Sequence, residues 1–394
     1  MAQQTADFII IGGGITGVSA AYQLAQRGHR VTLLERNYLA AGGTGRTVGL
    51  IRTHYSNEIT VQMALRALHV WRDFDQVIGG DIGWMPAGAL FIVGPHDLEG
   101  LQANIAMQRQ AGVNVEFLDT QGLRALAPYL NVEDVGGGAY EPDSGVADGA
   151  MATNAYAERA KALGATILQG VEVASICAEG GRVTGVQTTG GMFSAPVVIN
   201  AAGPWGARLT QTVAEVDIPV ENSRHQVAVF QRPENLAEPQ HPFIGDFIQG
   251  FYIRPETGLL TLAGSLEASE AANKVDPDHF SESVDMDFNI DMAERTEHRV
   301  PAMCDAQIRK GWAGLYDVTP DWHPIIGRIP GVDGLICAFG FSGSGFKMAP
   351  VIGEMIADLA TGDQQCPIDS HPFRLERFAE GDLVVGRYAY SIIG

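Results

Sequence analysis

Apolar positions along the chain change period in a way that divides it into recognisable units. Asp7 to Ile11 is a short apolar run ending in Gly12-Gly13-Gly14-Ile15-Thr16-Gly17, and from Val18 to Arg27 apolar residues recur at helical spacing before a turn at Gly28. Arg30-Val31-Thr32-Leu33-Leu34-Glu35 is again strand-like and carries a carboxylate at its end. The pattern predicts strand, glycine-rich turn, helix and second strand, a complete βαβ unit from the first residues onward. A second α/β stretch follows later, with a helix over Ala152 to Leu163 and extended segments over Thr166 to Gln169 and Val171 to Ile176. It closes with a buried-type strand, Val197 to Ala202, that runs into Gly203-Pro204-Trp205-Gly206. Between these stretches, Trp84 to Val93, Gly112 to Pro128 and Pro219 to Glu267 alternate and are punctuated by turns, as antiparallel strands do. Phe280 to Arg299 is acidic with helical spacing, and Ala349 to Leu359 reads as a final amphipathic helix.

The fold class expected from this order is α/β (α+β), with a Rossmann-like nucleotide-binding domain interrupted by a second domain built on a mainly antiparallel sheet. The interrupted domain is expected over residues 1–80, 140–215 and 312–394, and the inserted one over 81–139 and 216–311. At 394 residues the chain is long enough for each lobe to bury its own core.

Charge narrows the partners. Lys plus Arg is 26 against Asp plus Glu at 46, a formal net charge of -20, which argues against surfaces that collect nucleic acid or anionic lipid. An anionic ligand must then be held by a few local basic residues. Cys177, Cys304, Cys337 and Cys366 are far apart and too few for a disulfide scaffold, which fits a reducing compartment. The N-terminal residues lack a basic n-region, and no apolar run approaches the roughly 18 residues of a membrane span. A cytoplasmic protein without a membrane segment, and without a metal site, is the expectation.

Gly12-x-Gly14-x-x-Gly17 is weak alone but gains meaning between a strand and a helix, with Glu35 ending the next strand. Its glycines permit the tight turn, let the backbone approach a pyrophosphate, and let helix and strand pack closely, while the helix N-terminus offers free N–H groups. Glu35 suits a ribose diol and would repel a 2′-phosphate, so an ADP moiety is expected. The fingerprint leaves FAD and NAD open. Two further loops bear on that choice: Ala40 to Arg52, glycine-rich with Arg46 and Arg52, and Gly340-Phe341-Ser342-Gly343-Ser344-Gly345-Phe346-Lys347, which leads into the last helix. Neither holds a Gly-x-Ser-x-Gly nucleophile elbow.

In the order and spacing of these motifs the chain resembles the D-amino-acid oxidase superfamily of flavoproteins, and within it the branch of sarcosine oxidase and dimethylglycine dehydrogenase-like enzymes. The resemblance covers nearly the whole chain and rests on the fingerprint, the loop ending in Leu50-Ile51-Arg52, Val171 to Ile176 followed by Ile199 to Trp205, Gly314 to Asp321, and Gly340 to Lys347. It implies FAD beneath an antiparallel sheet. The cofactor-binding residues it implies are Gly12, Gly14, Ile15, Thr16, Gly17, Glu35, Arg36, Gly43, Thr44, Arg46, Val173, Ala202, Gly203, Trp205, Gly343, Gly345, Phe346 and Lys347. Arg52 and Lys347 match two basic residues that clamp the substrate carboxylate in monomeric sarcosine oxidases, an assignment that a planar fork and a point charge suit chemically. Tyr316 matches a substrate-side tyrosine of the family, and His225 lies in a strand that relatives place near the active site.

Departures from the family refine the expectation. Relatives that bind flavin covalently use a cysteine before the segment matching Leu315-Tyr316 or a histidine near Arg46, where this chain has Gly314 and Arg46-Thr47. Non-covalent FAD follows. The lysine that promotes reaction with oxygen in sarcosine oxidases has no counterpart in Leu259 to Gly264, which leaves oxidase and dehydrogenase open. The resemblance thus implies oxidation of the C–N bond of a small secondary amino acid, N-methyl or cyclic, with O2 or a redox partner as acceptor. A glycine-like primary amino acid, a hydroxy acid, an FAD-bearing subunit of a larger dehydrogenase, a homo-oligomer and a plain NAD-binding protein stay open beside it.

Overall fold

A computed structural model describes residues 4–236 and 241–387. Phe8–Ile11 is buried at all four positions and forms the centre of a six-stranded sheet. Burial on both faces explains its continuous apolar run. In spatial order the strands are Ile325–Arg328, Leu335–Phe339, Val197–Asn200, Phe8–Ile11, Val31–Glu35 and Thr166–Gln169, parallel except for the antiparallel Ile325–Arg328 edge. The parallel, nucleotide-binding type of sheet expected from the βαβ pattern is therefore present.

Helices Ile15–Gln26, Gly149–Ala162 and Gly345–Thr361 pack together on this sheet. Ser19 Oγ donates to Ala349 O at 2.9 Å, and a Cβ on Gly353 would come within 2.2 Å of that hydroxyl, so the two helices meet at van der Waals distance. Gly12 has φ +108°, and a Cβ on Gly17 would come 2.0 Å from Gly12 O. The first fingerprint glycine thus turns the chain, and the third lets the helix lie against the strand.

The second large sheet has eight strands in the order Gln307–Val318, Glu221–Gln231, Leu260–Ser265, Phe251–Glu256, Phe243–Asp246, Ala89–Val93, Gly137–Glu141 and Glu116–Leu118. All neighbours are antiparallel except Phe243–Asp246 with Ala89–Val93. Strand Gly137–Glu141 spans position 140 and strand Gln307–Val318 spans position 312. A small sheet of Gln4–Thr5, Gly191–Ser194, Arg182–Thr188 and Val173–Glu179 lies beside the parallel one. Among the described residues no helix is long and apolar enough to cross a membrane.

Several local expectations are corrected. The first helix begins at Ile15 rather than Val18, on the turn itself. Gly112 to Pro128 contains only the short strand Glu116–Leu118; Asp119 then accepts from Gly122 N at 2.8 Å and starts the helix Thr120–Leu126. The acidic helix begins at Met286; before it Ser281 O and Ser283 O accept from the Arg224 guanidinium instead of from backbone N–H groups of a helix. The last helix is longer than the predicted Ala349 to Leu359 and runs from Gly345 to Thr361, with a wide buried face and Glu354 and Asp358 on its half-buried side. Helices Glu58–Arg72 and Leu98–Gln110 were not anticipated; their apolar stripes are broken by polar residues that prove to be buried, Thr60, Asn104 and Gln108.

Candidate active site

An elongated cavity of about 730 Å³ runs between the two large sheets. Of the residues singled out in the sequence, all but Gly17 line it; Gly17 packs helix on strand instead. At one end lies the fingerprint turn. The helix N-cap Gly14 brings no capping side chain of its own, and Thr44 Oγ1 accepts from Ile15 N at 3.1 Å across the opening. Glu35 accepts from Gly13 N at 2.7 Å and Asn37 N at 2.8 Å, which holds its carboxylate at the mouth of the turn. Val173, Ala202, Gly203 and Trp205 close this end, and the Arg36 guanidinium sits 4.1 Å over the Trp205 ring.

This end is strapped from outside by residues between the strand Leu260–Ser265 and the helix Met286–Arg299. Asp278 accepts from Trp205 Nε1 at 2.7 Å and from Arg208 at 2.7 Å, and pairs with Arg36 at 3.1 Å. Partial burial would raise the Asp278 carboxyl, but these hydrogen bonds outweigh it and hold it below the usual range. Glu282 pairs with Arg46 at 2.5 Å. Arg46 in turn lies against Gly314, where an added Cβ would come 3.2 Å from Arg46 Cβ.

At the other end Arg52 and Lys347 are both buried, 4% and 6% exposed. The Arg52 guanidinium lies 4.3 Å over the Tyr55 ring and 5.8 Å from the Phe91 centroid, and donates to His54 O. Lys347 Nζ donates to Gly343 O at 3.2 Å. Burial, and then the charge of Arg52, push the lysine pKa well below its ordinary value. Tyr316 stacks on His225 with ring centroids 3.9 Å apart, and His225 Nε2 is 2.9 Å from Ser223 Oγ. Burial pushes His225 down to about 4, so its imidazole is neutral near neutral pH. The Tyr316 ring also presses on Gly343, where an added Cβ would come 2.5 Å from it.

Two stitched loops deliver these groups. Ser342 N donates to Asp317 O at 3.1 Å, Thr319 N donates to Ser342 Oγ at 3.2 Å, and Gly340 N donates to the Asp317 carboxylate at 2.6 Å. Ser342 takes a left-handed backbone, φ 49°, inside this clasp. Asp317, fully buried, is pushed up to about 6 by burial despite the backbone donors that favour its charge.

Sequence reading missed an aromatic wall facing Arg52: Phe91, Phe243, Phe247 and Tyr252 come from three strands and a turn and pack ring on ring at 5.6 to 6.3 Å. It also missed Glu141 behind Arg52 and the Asp278 strap. Only sheet pairing brings these together, and no spacing along the chain marks them.

The residues present suit FAD: a Cβ-free cradle at Gly12 and Gly14, a helix N-terminus whose N-cap Gly14 brings no side chain, and a carboxylate at Glu35 lie on one cavity that continues to Lys347. Residues 7–359 match a family model described as FAD dependent oxidoreductase, DAO. The chain is 27% identical over 391 residues to sarcosine oxidase subunit beta of Arthrobacter sp, covering 96% of this chain and 92% of that one. It is 28% identical to human mitochondrial sarcosine dehydrogenase over 95% of its own length, but spans only 41% of that relative. The crystal structure of L-proline dehydrogenase from P. horikoshii superposes with a TM-score of 0.89 at 28% identity, over 97% of this chain and all of the other.

Proposed function

The chain belongs to the DAO family of FAD-dependent oxidoreductases, and from that premise we propose that it oxidises the C–N bond of a small secondary amino acid, N-methyl or cyclic, to an imine. The observation that carries this reading is the burial of two cations, Arg52 and Lys347, in one cavity of a protein whose net charge is -20. A planar guanidinium and a lysine amine brought to one end of a cavity offer a carboxylate there several converging donors. FAD, when bound, supplies the acceptor for the hydride that leaves the carbon beside nitrogen.

The remaining groups orient and prepare the substrate. Arg52 offers a planar fork and Lys347 a point charge, which together fix the carboxylate and with it the face of the C–H bond. The same two charges disfavour an ammonium beside them, so the amine binds in its neutral, reactive form. Neutral His225, stacked on Tyr316, adds no further positive charge to this end. Phe91, Phe243 and Tyr252 line this end with rings and limit water near the imine until release.

The flavin is held without a covalent bond: among the described residues no cysteine lines the cavity, and Gly314 stands against Arg46 where relatives carry attachment residues. Acid precipitation should leave the yellow colour in the supernatant. Strand Leu260–Ser265 carries no lysine, which favours a dehydrogenase handing electrons to an acceptor other than O2. A second reading, the FAD-bearing subunit of a multi-subunit enzyme, is favoured by the Arthrobacter relative being a subunit; copurification of a second polypeptide from the native source tests it.

The deciding experiment mixes the FAD-loaded protein anaerobically with sarcosine, L-proline, glycine and lactate. Bleaching of the flavin band by sarcosine or proline supports the secondary-amine reading. Bleaching by glycine or lactate alone replaces it.

A further inference from the structure

Arg52 does not stand alone in its segment. It follows the strand Leu50–Ile51, which pairs with Gly145–Val146, and the turn leading into Gly145–Val146 begins at Glu141. Glu141, at the end of strand Gly137–Glu141, is 1% exposed and turns its carboxylate back toward that segment. Its Oε2 accepts from Thr53 N at 2.9 Å and from Ser144 Oγ at 2.8 Å. Its Oε1 lies 3.7 Å from His54 Nδ1.

His54 is held from its other sides. Its ring stacks on Phe91 at 4.3 Å and 8°, and Gln108 Nε2 is 3.1 Å from His54 Nδ1 while also donating to Tyr55 O at 3.1 Å. The carbonyl of His54 receives the Arg52 guanidinium. Glu141 therefore anchors the Thr53 amide, and two peptide units further on the His54 carbonyl holds the side chain of Arg52. The guanidinium is thus held by a three-residue backbone segment that one carboxylate on another strand anchors at Thr53. Burial raises the Glu141 carboxyl, opposed by the two hydrogen bonds and by the charge of Arg52.

We propose that Glu141 is a positioning residue for substrate: by accepting the Thr53 N–H and the Ser144 hydroxyl it sets the direction of Arg52, and so the affinity for the substrate carboxylate. This rests on the reading of Arg52 as a carboxylate clamp. A buried acceptor is costly to lose, and misplacement of a binding group by about 1 Å can change rates on the order of a hundredfold.

The test uses FAD-loaded wild type, R52A, E141A and E141Q, with sarcosine or L-proline as substrate, acetate as a carboxylate probe read by its effect on the flavin spectrum, and FAD content. E141A is expected to raise KM and the acetate Kd about tenfold, with kcat within about threefold and FAD content unchanged. E141Q keeps an oxygen for the Thr53 N–H, and its KM should fall within about threefold of wild type. If R52A raises KM while E141A leaves KM and the acetate Kd at wild-type values, the inference is wrong and the clamp stands. E141Q as impaired as E141A also overturns it, since charge rather than hydrogen-bond acceptance would then matter. Unchanged kinetics in R52A would remove the clamp and this inference together. Should E141A fail to fold, S144A decides: a KM rise beyond about threefold supports positioning and a KM within about threefold of wild type overturns it.

Discussion

Trp71 Nε1 donates to the backbone carbonyl of Lys347 at 2.7 Å, and both residues are buried. Helix Glu58–Arg72 thus docks on the first turn of helix Gly345–Thr361 at the residue whose ammonium enters the cavity. The Trp71 ring also meets Phe346 at 4.9 Å and Phe74 at 5.6 Å. Replacing Trp71 with Phe keeps much of the packing but leaves the Lys347 carbonyl without its donor. A loss of about 1–3 kcal/mol in unfolding free energy is expected, with a raised KM and FAD still bound. Urea denaturation and steady-state kinetics check it; equal stability would show that the bond contributes nothing.

The depressed pKa of Lys347 has a sign that can be read in kinetics. The clamp needs the ammonium, which is lost as pH rises through a value well below 10.5. Substrate KM should therefore rise with pH earlier than an ordinary lysine would allow, and K347M should abolish that limb while raising KM about tenfold or more at neutral pH. A wild-type KM that is flat up to pH 10 would contradict the buried-cation geometry. In stability the same depression works the other way: it favours folding above the unfolded lysine pKa, and that advantage is lost as pH falls through the folded value. K347M without substrate is thus expected to melt above wild type at pH 7.

Asp317 is raised from 3.8 to about 6 by burial. Its contribution to stability is full below 3.8 and is lost as pH rises through about 6. The difference in unfolding free energy between wild type and D317N should change by about 2–3 kcal/mol between pH 4 and pH 7, in favour of D317N at the higher pH. Chemical denaturation at both values measures it. A difference that does not depend on pH would place the Asp317 carboxyl in water rather than behind Gly340.

Asp278 ties Trp205, Arg36 and Arg208 beside the expected ADP end of the cavity. Each of these pairs is partly exposed and individually weak, about 0.2–1 kcal/mol, but they converge on one carboxylate. D278A is expected to raise the FAD dissociation constant about three- to tenfold and to flatten its dependence on salt. Flavin fluorescence during titration reports both, and an FAD affinity equal to wild type at low salt would remove the strap from cofactor retention.

The βαβ start of the chain was legible because strand and helix there are local: four consecutive apolar residues, glycines at 12, 14 and 17, and a period change that depends on neighbours in sequence. The same holds for Thr166–Gln169, where the strand has the bounds that its pattern predicts. For Arg52, Lys347, Tyr316 and His225, the residues themselves stood in recognisable motifs, but their meeting in one cavity depends on two sheets closing on each other. Helices Glu58–Arg72 and Leu98–Gln110 escaped because Thr60, Asn104 and Gln108 look like surface positions until the tertiary structure buries them with polar partners. Glu141 carries no local signal at all. A carboxylate on the third strand of chain after Leu50–Ile51 becomes the support of Arg52 only when Leu50–Ile51 pairs with Gly145–Val146, because a hydrogen bond acts over about 3 Å of space and is indifferent to distance along the sequence.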